Sequence, residues 1–139
     1  MADTFQLEVA TPERLFINEQ VTAAQLPGKD GYMTVLAGHA PLLGALGAGV
    51  LSYEGGRGPH AMAVAGGFIE VFENHVRVLA DFAELPDEID SDAARRDLEN
   101  ASEALRHASS EEASNAALEA VQRAQARLDA AQKTSAGAH

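Results

Sequence analysis

The chain has 139 residues, 46% of them hydrophobic and 22% charged, with no cysteine and a formal net charge of −11. That length supports one ordinary domain or a small domain with an appendage, and the hydrophobic share supports a packed core rather than disorder. The charge sets the chain against nucleic-acid phosphates and anionic lipid, and the missing cysteines exclude disulfide and thiolate chemistry.

No apolar run reaches membrane-span length, Met1-Ala2-Asp3-Thr4 lacks the basic and apolar regions of a signal peptide, and the lack of cysteine fits a cytoplasmic or cytoplasm-facing protein. Residues 1–86 carry 10 acidic and 4 basic side chains, and residues 87–139 carry 11 and 6. Acidity spread this evenly reads as solubility and suits a basic-faced protein partner.

The first half reads as strands. Phe5-Gln6-Leu7-Glu8-Val9 alternates apolar and polar residues, the period of a half-buried strand. Thr11-Pro12-Glu13 turns the chain, and residues 15–17 and 21–26 follow as strands. Pro27-Gly28-Lys29-Asp30-Gly31 is dense turn chemistry before a strand over 32–36. In Gly38-His39-Ala40-Pro41-Leu42-Leu43 the proline removes a backbone donor, so a bend is expected that presses Leu42 and Leu43 into a core. Strands over 50–53, 61–65 and 68–72 are separated by Gly55-Gly56-Arg57-Gly58-Pro59 and Gly66-Gly67. Glu73-Asn74 makes a two-residue connection to a last strand over 75–80. This spacing of short strands predicts an antiparallel sandwich or barrel.

Composition changes at Pro86. Every aromatic, every proline and eleven of the twelve glycines lie at or before it, and fifteen alanines follow it. Asp87, Glu88, Asp90 and Asp92 suit the positive end of a helix. Ala94, Leu98, Ala101, Leu105 and Ala108 recur at helical spacing, as do Ala117, Val121, Ala124, Leu128 and Ala131. Ser109 and Glu112 read as the capping box between two helices. The expected product is an α+β chain: an N-terminal antiparallel β-sandwich of about ten strands over 1–86, then a C-terminal antiparallel αα-hairpin over 87–139. Only Leu98, Leu105, Leu118, Val121 and Leu128 are large and apolar in that hairpin, so it is expected to lean reversibly on the sandwich or on a partner.

No catalytic constellation assembles. His39, His60, His75, His107 and His139 lack metal-ligand spacing, so no metal is expected. Ser52 and Ser91 lack a nucleophile-elbow context, and Gly55-Gly56-Arg57-Gly58 lacks the strand-loop-helix setting of a phosphate cradle. Arg123, Arg127 and Lys133 on the last helix read either as a solvated face or as a basic stripe for an acidic partner. A small metal-dependent β-barrel enzyme of cupin type stands as the alternative and would need clustered His and Glu ligands.

With these motifs in order, the sequence resembles the epsilon subunit of bacterial F-type ATP synthases. The likeness is carried by Gly38-His39-Ala40-Pro41-Leu42-Leu43, Gly66-Gly67-Phe68-Ile69-Glu70-Val71, Val78-Leu79-Ala80-Asp81 and the opening Phe5-Gln6-Leu7-Glu8-Val9 with Thr11-Pro12-Glu13. The resemblance implies a non-catalytic rotor subunit in the central stalk, coupling proton flow to ATP synthesis. Its place would be peripheral, on the cytoplasmic side of a bacterial inner membrane, meeting the membrane only through the complex. It further implies that the loop Gly28, Lys29, Asp30, Gly31 and Tyr32 faces the c-ring and that His39, Ala40, Pro41 and Leu42 lie toward the gamma subunit. The hairpin would pack on the sandwich or extend toward the catalytic subunits to restrain hydrolysis. Family members often carry an acidic residue, a small apolar residue and glycine just after the position of Gly31, where this chain has Tyr32-Met33-Thr34. No cofactor is implied, but some members bind ATP as a regulatory ligand through an Asp-x-x-Arg-Ala motif. Here Asp92 and Arg95, followed by Arg96, are its nearest match, with an i,i+3 ion pair as the simpler reading.

Overall fold

The structure, a computed structural model, describes residues 3–137, with side chains through Lys133; His139 lies outside the described residues. Eight strands come first: β1 (Phe5–Thr11), β2 (Arg14–Val21), β3 (Ala23–Gly28), β4 (Gly31–Leu36), β5 (Leu42–Ala45), β6 (Ala48–Glu54), β7 (Ala61–Phe72) and β8 (His75–Glu84). A 3-10 turn (Pro86–Glu88) leads to helices α1 (Ser91–Arg106) and α2 (Glu111–Gly137).

Residues 61–65 and 68–72, separate strands by sequence, are the two halves of β7. Residues 61–65 pair with β6, residues 68–71 pair with β5, and β8 runs antiparallel to both halves. The near half of β8, residues 75–79, also pairs in parallel with β1. Two sheets result, β2-β1-β8-β7-β5 and β8-β7-β6-β3-β4, sharing two bent strands. The sandwich therefore has five strand segments in each sheet but eight continuous strands, not ten. The bend sits at Gly66-Gly67, with φ of 71° and 120°, where a Cβ on Gly67 would stand 2.0 Å from the Leu79 carbonyl oxygen. Only glycine fits there. Glu73 and Asn74, with φ of 46° and 58°, make the mirror-type turn that matches the twist of β7 and β8.

Alternate residues of every strand meet between the sheets, where Phe5, Leu7, Leu26, Leu51, Met62, Ile69 and Val78 are fully buried. The bend around Pro41 forms as expected, but it does not bury both leucines. Leu42 packs against the core, whereas Leu43 is 74% exposed. Neighbours in a strand point to opposite faces, so β5 turns one inward and the other out.

Tyr53 is 4% exposed, and its hydroxyl meets no hydrogen-bond partner among the described atoms. Burial, with Glu19 adding to it, pushes its pKa up to about 12. Below pH 10 the phenol is protonated folded and unfolded alike, so it gives no pH dependence. Above that the unfolded chain loses its proton first, so stability falls through pH 12 by on the order of 2 kcal/mol. Tyr53→Phe is expected to remove this alkaline slope in urea titrations while leaving stability at pH 7 equal or slightly higher, because it deletes an unpaired buried hydroxyl.

Arg14, the first residue of β2, reaches Glu88 in the 3-10 turn at 2.7 Å, which with the Leu85 amide holds the Glu88 carboxyl below its usual range. The Asp90 side chain caps α1 by accepting from the Ala93 N–H at 3.0 Å. Ser110 rather than Ser109 caps α2: its hydroxyl accepts from the Ala113 N–H at 3.0 Å, and its carbonyl accepts from the Ser114 N–H. Because α2 begins at Glu111, a box counted from Ser109 is one residue out of register. The helices meet through Ala94, Ala101, Ala117 and Ala124, the expected alanine seam. A second face of α2, Ala126 and Ala130, lies on Val50 and Ala63 of β6 and β7.

Candidate docking surfaces

The two sheets differ in what covers them. The outer face of β6-β7 lies under α2, whereas nothing among the described residues covers the outer face of β2-β1-β8-β7-β5. Strand register shows what that bare face presents. Ala45, Phe68, Leu79, Ala10 and Leu15 stand opposite one another in sequence across five strands and form one row. Phe68 is 61% exposed, Leu79 48% and Leu15 54%. The next row is Leu43, Glu70, Arg77, Glu8 and Asn18, with Arg77 3.6 Å from both Glu8 and Glu70. Phe72 stacks on His75 just beyond. Five of the eight large apolar side chains exposed among the described residues lie on this one face. Clustering of that kind marks an interaction surface, whereas scattered exposed leucines would not.

The sequence singled out the two loops at the ends of β4, and the structure keeps them apart. Gly28, Lys29, Asp30 and Gly31 form the β3–β4 hairpin tip, which is braced rather than free. Lys29 N–H donates to the Ala45 carbonyl at 3.0 Å, and Gly47 N–H donates to Pro27 at 2.7 Å. With the Pro27 carbonyl occupied, the Val50 N–H turns to the Tyr32 hydroxyl at 3.0 Å. Tyr32 is thus half structural, its ring outside and its oxygen completing a strand edge. His39, Ala40 and Pro41 lie in the β4–β5 loop, where His39 Nδ1 donates to the Ala40 carbonyl at 2.7 Å. A carbonyl only accepts, so that nitrogen carries the proton. Of the four residues read as a partner contact, Leu42 faces the core and the outward position passes to Leu43.

Asp92 and Arg95 pair with each other at 2.7 Å on the exposed face of α1, and Arg96 is exposed beside them. Calorimetric titration with millimolar ATP is expected to show no binding heat from these residues; heat lost in Arg95→Ala would reverse that expectation. Arg123, Arg127 and Lys133 do not make one stripe. Arg123 lies over the Phe82 ring at 5.0 Å, Arg127 is 14% exposed and paired inward, and Lys133 edges a cleft of about 500 Å³ beside Tyr32. Among the described residues no group of three or more His, Asp or Glu is placed to hold a metal, so nothing supports the cupin-type reading. Sequence reasoning missed Leu15, Phe68 and Leu79 as a surface; the signal lay in strands with apolar residues at both parities.

A bent β-sandwich with a small C-terminal helical hairpin over one sheet and a bare apolar face on the other defines a two-layer protein with a surface for association. Residues 4–86 match the family model described as ATP synthase, Delta/Epsilon chain, beta-sandwich domain. A relative from Solibacter usitatus, the ATP synthase epsilon chain, is 52% identical over 134 residues, covering 96% of this chain and 99% of the relative. The chain belongs to the ATP synthase epsilon chain family. The fold is similar to a chain in the cryo-EM structure of Euglena gracilis mitochondrial ATP synthase, OSCP/F1/c-ring in rotational state 1, with TM-score 0.77 at 25% identity, covering 93% of this chain and 81% of that one. A chain from the Tetrahymena thermophila mitochondrial ATP synthase central stalk/c-ring structure shares the fold with TM-score 0.64 at 12% identity, covering 94% of this chain and 98% of that one.

Proposed function

We propose that this chain works without chemistry of its own, as a rotor subunit holding the central stalk to the c-ring so that proton flow drives ATP synthesis. The observation that carries this reading is the apolar row Leu15, Leu79 and Phe68 on an uncovered sheet, which needs a protein partner to leave water. The gamma subunit is that partner, and the loop from His39 to Pro41 borders its contact through Leu43. The braced tip Lys29-Asp30 is directed to the c-ring, rigid enough to transmit torque. The subunit sits peripherally on the cytoplasmic side of a bacterial inner membrane; no helix of the described residues is long and apolar enough to span one. The hairpin is its movable part, packed on the sandwich or extended toward the catalytic subunits to restrain hydrolysis.

Two measurements test the reading. The tagged full chain should retain the gamma subunit in a pull-down, and failure to do so in low and moderate salt would end it. For the tip, Lys29→Glu with Asp30→Lys is expected to leave the melting temperature unchanged, since both side chains are exposed, while lowering ATP-driven ion pumping in membrane vesicles. Unchanged pumping would remove the tip from the c-ring contact.

A further inference from the structure

We infer that Arg127 is the latch that sets how long the hairpin stays on the sandwich. Its Nε donates to Glu84 Oε1 at 2.7 Å, and its Nη1 donates to Asp97 Oδ2 at 3.1 Å. One guanidinium thereby ties three elements: the last residue of β8, the middle of α1 and the middle of α2. Arg127 is 14% and Glu84 19% exposed, whereas the other ion pairs within the helical half are solvent-facing i,i+3 and i,i+4 pairs. Beside the latch, α2 lays Ala126 and Ala130 on Val50 and Ala63, with Ala61, Phe82 and Ile89 packed against them. Apolar contact of this kind is non-directional and gives no register. A planar fork between two carboxylates supplies direction and register, and once one partner is removed the other is left as a poorly solvated charge. The inference rests on the reading that the hairpin leaves the sandwich. It names the contact that must break first.

The absence of cysteine permits a direct assay. Val50 is 6% exposed beneath α2, so Val50→Cys places a single thiol that a maleimide reaches only when the helix lifts. In that background, Arg127→Ala and Glu84→Gln are each expected to speed labelling at least tenfold, and the two together no further than either alone. Asp97→Asn has a smaller effect, since Asp97 is 62% exposed, and Arg127→Lys falls between. Arg123→Ala, which removes an α2-to-β8 ring contact but no ion pair, serves as the control. Labelling unchanged by Arg127→Ala overturns the latch, and so does equal acceleration by Arg123→Ala. A matching fall in the urea midpoint of the sandwich also overturns it, because Arg127 would then be an ordinary stabiliser. The assay uses the isolated chain, so a failed pull-down with the gamma subunit leaves its outcome untouched.

Discussion

Gly67→Ala is expected to lower the stability of the sandwich by more than about 3 kcal/mol, the largest single-residue loss in the chain. The new Cβ would stand 2.0 Å from the Leu79 carbonyl oxygen and 3.0 Å from the Ala80 Cα, both backbone atoms that no rotamer can move. The φ of 120° adds strain for any L side chain. Because β7 is the strand on which both sheets are hung, β8 would have to move with it, separating the β5 side from the β6 side. Gly44→Ala is the matched control: its Cβ meets nothing within 4 Å, and a neutral or slightly positive change is expected there. Urea denaturation of the two variants measures the difference directly. Equal stabilities would mean that the bend at Gly66-Gly67 is not what joins the sheets.

The second large effect is on association rather than folding. Phe68→Glu combined with Leu79→Lys should weaken binding to the stalk partner at least a hundredfold, about 3 kcal/mol, by placing charges at the centre of the apolar row. Folding is expected to survive, because the two side chains are 61% and 48% exposed and stand opposite each other, so the new charges pair across the strands. Titration of the full chain with the gamma subunit gives the affinity, and urea denaturation gives the control. The Glu8–Arg77–Glu70 row beside it is paired within the chain, so Arg77→Ala is expected to have a smaller effect.

Much of this architecture was legible in residues alone. The strand half and helix half separate at Pro86 because aromatics and glycines serve a two-layer sheet whereas alanines serve a close helical seam. The tight Glu73-Asn74 turn and the alanine seam were readable from one local rule each. Reading failed where two elements shared a constraint. Gly66-Gly67 looks like a break between strands, since glycine's freedom can end a strand or bend one, and only the pairing of both halves with β8 decides. Ala126 and Ala130 form a second buried face of α2 that no periodicity singles out, because a helix so rich in alanine is weakly apolar on every side. Arg127 read as part of a solvated face or a basic stripe because its partners, Glu84 and Asp97, are 43 and 30 residues away in the chain. On the bare sheet, Phe68, Glu70 and Phe72 alternate with Ile69 and Val71, leaving apolar residues on both sides of one strand. Such two-sided strands announce a second layer, and among the described residues nothing supplies it on this face.

Hydrogen exchange of the full chain with and without the gamma subunit tests the docking surface most directly. Binding should slow exchange in β1, β5, residues 68–72 of β7 and residues 75–79 of β8, leaving β3 and β4 as they were. Protection confined to β3, β4 and β6, or no change on any strand, would contradict the assignment of the bare face to the stalk.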